Sequence, residues 1–327
     1  MNKVRSLGQI FTPDNVVKQM LSWKENQGKT LEPSCGAGAF LDHLTAGSVG
    51  IELDKSIAHK DAAVMDYFDY KEGGFATVIG NPPYVSARDM QSDTFKKARF
   101  CSKLLPDAIT PLHGYFIEHS INKLQAGGEL IFIVPVAFSK STCFRLLNKH
   151  MSETGAFTHW YDFSDTQVFP NASVDTVAFR WVKGAKATTV ETNLELPEDY
   201  QVLCTADGQL YIGDPNIEMV LFSDYFTVKV GAVTGADELF YSDSGSVECV
   251  IPKTKTTGET ARYFGEEAKE ELVGHALTLI KRKSKKFDET NWWKWAREPD
   301  TSTLPRVYVC CRSRQEQPFF LHDCGVW

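Results

Sequence analysis

The chain has 327 residues, 43% hydrophobic and 24% charged, a globular composition with room for one large domain and a smaller one. A net charge of −7 excludes a uniformly basic nucleic-acid binder, no apolar run reaches the length of a membrane span, and Met1 to Gly8 lack the apolar stretch of a secretion signal. Eight cysteines without a C-x-x-C pair suit neither a zinc site nor a disulfide framework, and read as reduced thiols in a cytoplasmic protein.

In chain order, strands are predicted at residues 29–32, 49–53, 75–80, 129–135, 156–162 and 174–182, where short apolar or β-branched runs end in turn residues. Amphipathic or small-residue stretches at 39–46, 112–125 and 139–151 fall between them as helices. Strands alternating with helices predict an α/β fold, a doubly wound Rossmann-like sheet. Gly184 to Thr189 reads as a linker, so residues 1–183 and 184–327 are expected to form two domains. The second has short β-like runs between turn signals and is expected to be smaller and mixed or β-rich. The apolar end, Phe319 to Trp327, reads as a truncated terminus or as a last strand tucked into the core.

Chemistry concentrates at the predicted strand ends. Asn81-Pro82-Pro83-Tyr84 follows the third strand. The two prolines fix φ and remove two donors, leaving carbonyls to face a ligand. An amide oxygen and a rigid carbonyl can accept both hydrogens of an exocyclic amine while Tyr84 stacks on its ring; an ordinary turn is the alternative. Glu32 to Leu41, with Cys35, Gly36 and Gly38, reads as a strand end, a glycine turn and a helix start, where backbone N–H groups meet a ligand. It lacks the third glycine of the dinucleotide fingerprint. Glu52, at the tip of the second strand, is positioned for ribose hydroxyls or is a surface carboxylate. Asp66 with Tyr67 suits an adenine amino group and ring, or is a loop acid beside core aromatics.

From Lys253 to Arg314 there are 14 Lys/Arg against nine Asp/Glu, peaking at Lys281 to Lys286 and followed by Trp292, Trp293 and Trp295. Such interleaving suits a phosphate backbone with exposed bases, or is a solvated face.

In series these motifs resemble the S-adenosylmethionine-dependent DNA adenine-N6 methyltransferases whose cofactor domain precedes the target-recognition domain, commonly the modification enzymes of bacterial restriction–modification systems. Gly8 to Pro13 looks like their N-terminal motif, and the match implies that Thr12 contacts the cofactor carboxylate. Glu32, Cys35, Gly36 and Gly38 resemble the glycine motif, Glu52 the ribose ligand, and Asp66 with Tyr67 the adenine pocket. Asn81 to Tyr84 matches the catalytic motif D/N/S-P-P-Y/F/W. Val168-Phe169-Pro170 resembles the segment whose Phe packs against a flipped base. His113 to Phe116 and Gly127 to Pro135 resemble the helix and strand that complete the sheet.

The resemblance covers about residues 8–182, with an echo at Val228 to Phe240, the start of a recognition domain. It implies S-adenosylmethionine as co-substrate, no required metal, double-stranded DNA as partner, a cognate restriction endonuclease beside it, no membrane, and a bacterial or phage-encoded cytoplasmic enzyme. Recognition domains of this kind run longer than the residues after 183. The rival readings are an N-methyltransferase acting on RNA adenine or protein glutamine, and a DNA-binding remnant without turnover.

Overall fold

Phe75 to Gly80 is apolar almost without interruption, as suits a strand covered on both faces, and every residue of it is buried. In the computed structural model, which describes residues 11–86, 92–105, 109–164, 174–217, 220, 222–251, 259–284, 286–300, 307–309 and 319–321, this strand lies near the middle of the main sheet. The strands are β1 (Thr30–Glu32), β2 (Val49–Glu52), β3 (Ala63–Val64), β4 (Phe75–Gly80), β5 (Leu124–Pro135), β6 (Gly155–Asp162), β7 (Thr176–Lys183) and β8 (Glu191–Thr192). Among the described residues their order is β3-β2-β1-β4-β5-β7-β6-β8. β1 to β5 pair in parallel and β7 runs antiparallel between β5 and β6. The expected doubly wound Rossmann-like sheet is therefore present. Its order reverses between β1 and β4, and in open α/β sheets ligands bind outside the carboxyl ends of the strands at such a switch point.

Alternation along the strands divides the core. Ile79, Ile131, Ile133 and Ala178 face one side, where α1 (Asp14–Ser22) buries Val16, Val17 and Met20. Val78, Leu130, Phe132, Val134 and Phe179 face the other, with Phe116, Ile117 and Ile121 of α3 (Leu112–Lys123) and Leu147 and Met151 of α5 (Arg145–Thr154). α2 (Ser92–Cys101) packs beside α3, and α4 (Ala137–Lys140) precedes α5.

Some expectations give way. The helix expected at 39–46 is one 3-10 turn, Leu41–His43, because Gly38 and Gly47, at φ +98° and +87°, bracket the stretch. The helix expected at 139–151 is split into α4, a 3-10 turn at Thr142–Phe144 and α5. The chain divides into two compact units, Met1–Met219 and Val220–Trp327. β8 extends the main sheet, and the hairpin β9 (Gln201–Cys204) and β10 (Leu210–Gly213) packs Val202 and Leu210 into the first unit's core. Asn148 Nδ2 on α5 also donates to the Gly208 carbonyl at the hairpin turn, at 3.1 Å.

In the second unit, the two-stranded pairs β11 (Val247–Val250) with β12 (Thr260–Tyr263) and β13 (Val307–Val309) with β14 (Phe319–Leu321) accompany short helices. Here the basic–aromatic run turns inward. Trp292 and Trp295 are core residues beside Phe240 and Leu279. Arg282 lies over the Phe287 ring at 3.7 Å and donates to the carbonyls of Thr234, Trp292, Lys294 and Leu279. It thereby pins the Thr234-Gly235 turn of the stretch that echoes a recognition domain. Lys281, Lys283 and Lys286 remain exposed. No helix among the described residues is long and apolar enough to cross a membrane.

Candidate active site

A cavity opens where β1, β2 and β4 end, with about 1100 Å³ of empty space continuous with solvent. Its first wall is the turn after β1. Gly36 and Gly38 take φ +50° and +98°, which side chains rarely adopt. A Cβ on Gly38 would lie 2.7 Å from the His59 ring. His59 in turn donates its backbone N–H to the Gly36 carbonyl (2.8 Å), and its Nε2 is 3.1 Å from Asp42. Glu52 closes the turn from β2: Oε2 accepts from Gly36 N at 2.9 Å and Oε1 from Asp54 N at 2.8 Å.

Glu32, 2% exposed, lines the same wall. Burial pushes its carboxyl well above the usual carboxylate range, against hydrogen bonds from the Leu41 and Phe40 backbone. Its Oε2 has no hydrogen-bond partner among the described residues. A buried polar atom without a partner is costly, and a ligand that supplies one recovers that cost. Burial, with Glu32 and Glu52 nearby, pushes the Cys35 thiol up to about 12, so Cys35 is a packing group rather than a nucleophile.

The far end is apolar around one acid. Met65, Tyr67, Phe68, Val85, Leu112 and Phe116 line it with Asp66 and Thr94. Asp66 Oδ1 caps the following turn through Phe68 N at 3.0 Å, and Oδ2 is 3.6 Å from Lys97 Nζ. Tyr67 is fixed by its neighbours: its hydroxyl is 2.9 Å from Ser120 Oγ, and its ring stacks on Phe116 with centroids 4.9 Å apart.

Asn81 brings the loop after β4 to the near end. Its Nδ2 donates to Thr12 Oγ1 at 3.1 Å and its carbonyl accepts from Ser34 Oγ at 3.0 Å, so three separate segments meet there. Phe11 is 67% exposed at the same place. Tyr84 does not line the cavity: its hydroxyl donates to the Ile133 carbonyl at 3.1 Å and its ring meets the His113 edge at 6.0 Å.

Of the residues singled out from the sequence, Thr12, Glu32, Cys35, Gly36, Glu52, Asp66, Tyr67 and Asn81 line one cavity. Gly38 backs it against His59, Pro82 is buried beside it, and Phe169 lies outside the described residues. Sequence reading missed Leu112, Phe116, Val85, Thr94 and His59. Leu112 and Phe116 carried a signal, an i, i+4 apolar pair directly after Pro111. Among the described residues the lining contains three acids, Glu32, Glu52 and Asp66, and no Lys, Arg or His.

Sheet order and cavity together define a Rossmann-like fold with a ligand cavity at its switch point. Residues 23–169 match the family model described as Eco57I restriction-modification methylase, in agreement with the restriction–modification methyltransferase resemblance that the motifs carry. Type II methyltransferase M.HindII of Haemophilus influenzae is 30% identical over 285 residues, 79% of this chain and 55% of that protein. Type II methyltransferase M.TthHB8I of Thermus thermophilus is 29% identical over 201 residues, 56% of this chain and 46% of that protein. The chain spans about half the length of the curated relatives it matches. In fold it is similar to the type IIL restriction-modification enzyme MmeI, solved with DNA, at TM-score 0.58 and 12% identity, covering 96% of this chain and 57% of that one.

Proposed function

We propose that the protein transfers a methyl group from S-adenosylmethionine to N6 of an adenine flipped out of duplex DNA, as the modification enzyme of a restriction–modification system with a cognate endonuclease. In this reading the first unit is the catalytic domain and the later residues belong to target recognition. The charge of the cavity carries the reading. The three acids of the described lining, with one cation near them, Lys97 at 3.6 Å from Asp66, suit a ligand that bears a sulfonium and an ammonium better than the pyrophosphate of a dinucleotide. The residues present fit such a cofactor: Glu32 and Thr12 with its amino-acid end, Glu52 with its ribose, and Asp66 with its adenine amino group. Cys35, Gly36 and Gly38 shape the turn beside it, and Tyr67 lies against the adenine ring. When bound, S-adenosylmethionine supplies an electrophilic methyl group. The M.HindII and Eco57I resemblance favours DNA as the acceptor.

The amino group of adenine is a poor nucleophile because its lone pair is delocalised into the ring. With Nδ2 turned to Thr12, Asn81 directs its amide oxygen the other way. That oxygen and the Pro82 carbonyl accept the two amino hydrogens and favour a more tetrahedral nitrogen, so the gain comes from positioning and electrostatics. No strong base is needed, since the proton can leave after attack. Flipping costs a few kcal/mol, and stacking returns about 1–3 kcal/mol per base. Tyr84, its hydroxyl held by Ile133, and Phe169 are the aromatics assigned to that contact.

The test is transfer of labelled methyl from S-adenosylmethionine to duplex DNA, with RNA and protein extract in parallel and products digested to nucleosides. Label in N6-methyladenine from DNA is expected. Label only in RNA or protein would move the function to that substrate, and cofactor binding without transfer would indicate a remnant.

A further inference from the structure

The outer face of α2 has no role in the site so far described. Between Asp93 and Lys103 the sequence holds four cations against one carboxylate, in a chain of net charge −7. The helix divides them. Thr94, Lys97 and Ala98 turn inward: Thr94 lines the cavity, Lys97 Nζ lies 2.5 Å from Asp69 and 3.6 Å from Asp66, and Ala98 is 1% exposed. Lys96, Arg99 and Phe100 turn outward and are exposed, Phe100 at 92%, and Lys96 Nζ lies 3.9 Å from the exposed Asp93 carboxylate. Lys103 is exposed just past the helix.

This outer face is also held still. Glu118 of α3, 3% exposed, accepts from Ser102 Oγ (2.6 Å), Lys103 N (2.6 Å) and Leu104 N (3.2 Å), which fixes the chain leaving the helix. Lys97 fastens the helix body to the segment after β3. Three cations and an apolar ring thus stand on a fixed platform at the rim of the cavity that holds Asn81. The backbone that carries these side chains is therefore fixed before they meet a partner, although the exposed side chains themselves must still be ordered.

We infer that the face of α2 formed by Lys96, Arg99, Phe100 and Lys103 binds the phosphate backbone of duplex DNA beside the target base. This rests on the proposed DNA substrate and adds a contact surface within the first unit. Phosphates are opposite in charge to Lys96, Arg99 and Lys103 and compete with the exposed Asp93 for Lys96, and Phe100 offers an apolar surface to the sugar edge. Contacts of this kind set position and carry no sequence information.

The experiment compares the wild-type chain with the triple variant Lys96→Gln, Arg99→Gln, Lys103→Gln. It measures equilibrium binding of a fixed duplex across a salt series, with S-adenosylmethionine affinity as the check on folding. Each phosphate contact contributes about 0.9 to the slope of log K against log salt. The triple variant is expected to flatten that slope by about 2–3 units, weaken binding to all duplexes alike, and leave cofactor affinity unchanged. An unchanged slope and affinity would overturn the inference and leave a solvated face. If the wild-type chain binds RNA in preference to duplex DNA, the proposed substrate itself fails. That is a separate result, visible before any substitution. Phe100→Ala, measured alone, is expected to weaken binding without changing the slope.

Discussion

Glu129 and Glu32 lie on strands of one sheet, 0% and 2% exposed, yet they are built into opposite surroundings. Glu129 accepts from Arg180 Nε (2.8 Å), Thr77 Oγ1 (2.8 Å), Asn26 N (2.9 Å) and Glu25 N (3.3 Å), and Arg180 continues to Glu25 and Thr158. Every element of that cluster is protein, and it ties β4, β5, β6, β7 and the segment after α1 together. Glu32 has two backbone donors, no cation, and one oxygen without a partner among the described residues. A buried carboxylate that is fully matched holds a fold; a buried carboxyl left unmatched at a cavity wall is biased toward its neutral form until a ligand supplies a partner.

The contrast can be broken at either end. Arg180→Ala strands a buried carboxylate and is expected to lower the unfolding free energy by about 3–5 kcal/mol, read from denaturant titration. An effect under 1 kcal/mol would mean the cluster is not structural. Asn81→Ala is expected to cut turnover about 10²- to 10³-fold, the scale of losing one group aimed at the transition state, while cofactor affinity stays within twofold. Unchanged turnover in a labelled-methyl assay would remove Asn81 from the chemistry.

Glu32→Gln is expected to weaken S-adenosylmethionine binding about 10- to 100-fold by calorimetry, the scale of one hydrogen bond to a charged group, without loss of stability. Its pH dependence sharpens the point. Burial raises the Glu32 carboxyl in the folded chain above the ordinary value of 4.5. Its contribution to stability is therefore fully present below pH 4.5 and is lost as pH rises through the raised folded value. Glu32→Gln should flatten that part of the ligand-free stability profile, and wild-type affinity for a cationic ligand should climb with pH over the same window. The smallest effect is expected from Thr12→Val, which removes the Asn81 hydrogen bond, worth about 1 kcal/mol, and should lower turnover several-fold. A change in stability alone would reduce Thr12 to packing.

The part of the site legible in the sequence was the part fixed by strand ends. Apolar runs located β1, β2, β4 and β5, and the acids at their tips fell on one cavity because parallel strands deliver their carboxyl ends to one edge. Contacts between segments distant in sequence were illegible. His59 packing on Gly38, Asn81 held by Thr12, and Glu118 bracing the chain after α2 each join residues that no local pattern links. Local reading also misjudged 39–46, where glycines interrupt a helical composition. The tryptophans after residue 290 misled for another reason. Near lysines they read either as an exposed stacking surface or as part of a solvated face, whereas the small second unit uses Trp292 and Trp295 as core. In a unit that size, large aromatics are needed inside.

The most direct measurement is calorimetric binding of S-adenosylmethionine and of NAD to the same folded chain, with Glu52→Ala and Asp66→Ala beside it. A three-carboxylate cavity is expected to bind S-adenosylmethionine at one site, weaken with either substitution, and show no heat with NAD. A folded chain that binds NAD equally well, or that ignores both substitutions, would contradict the assignment of this cavity to a cationic methyl donor.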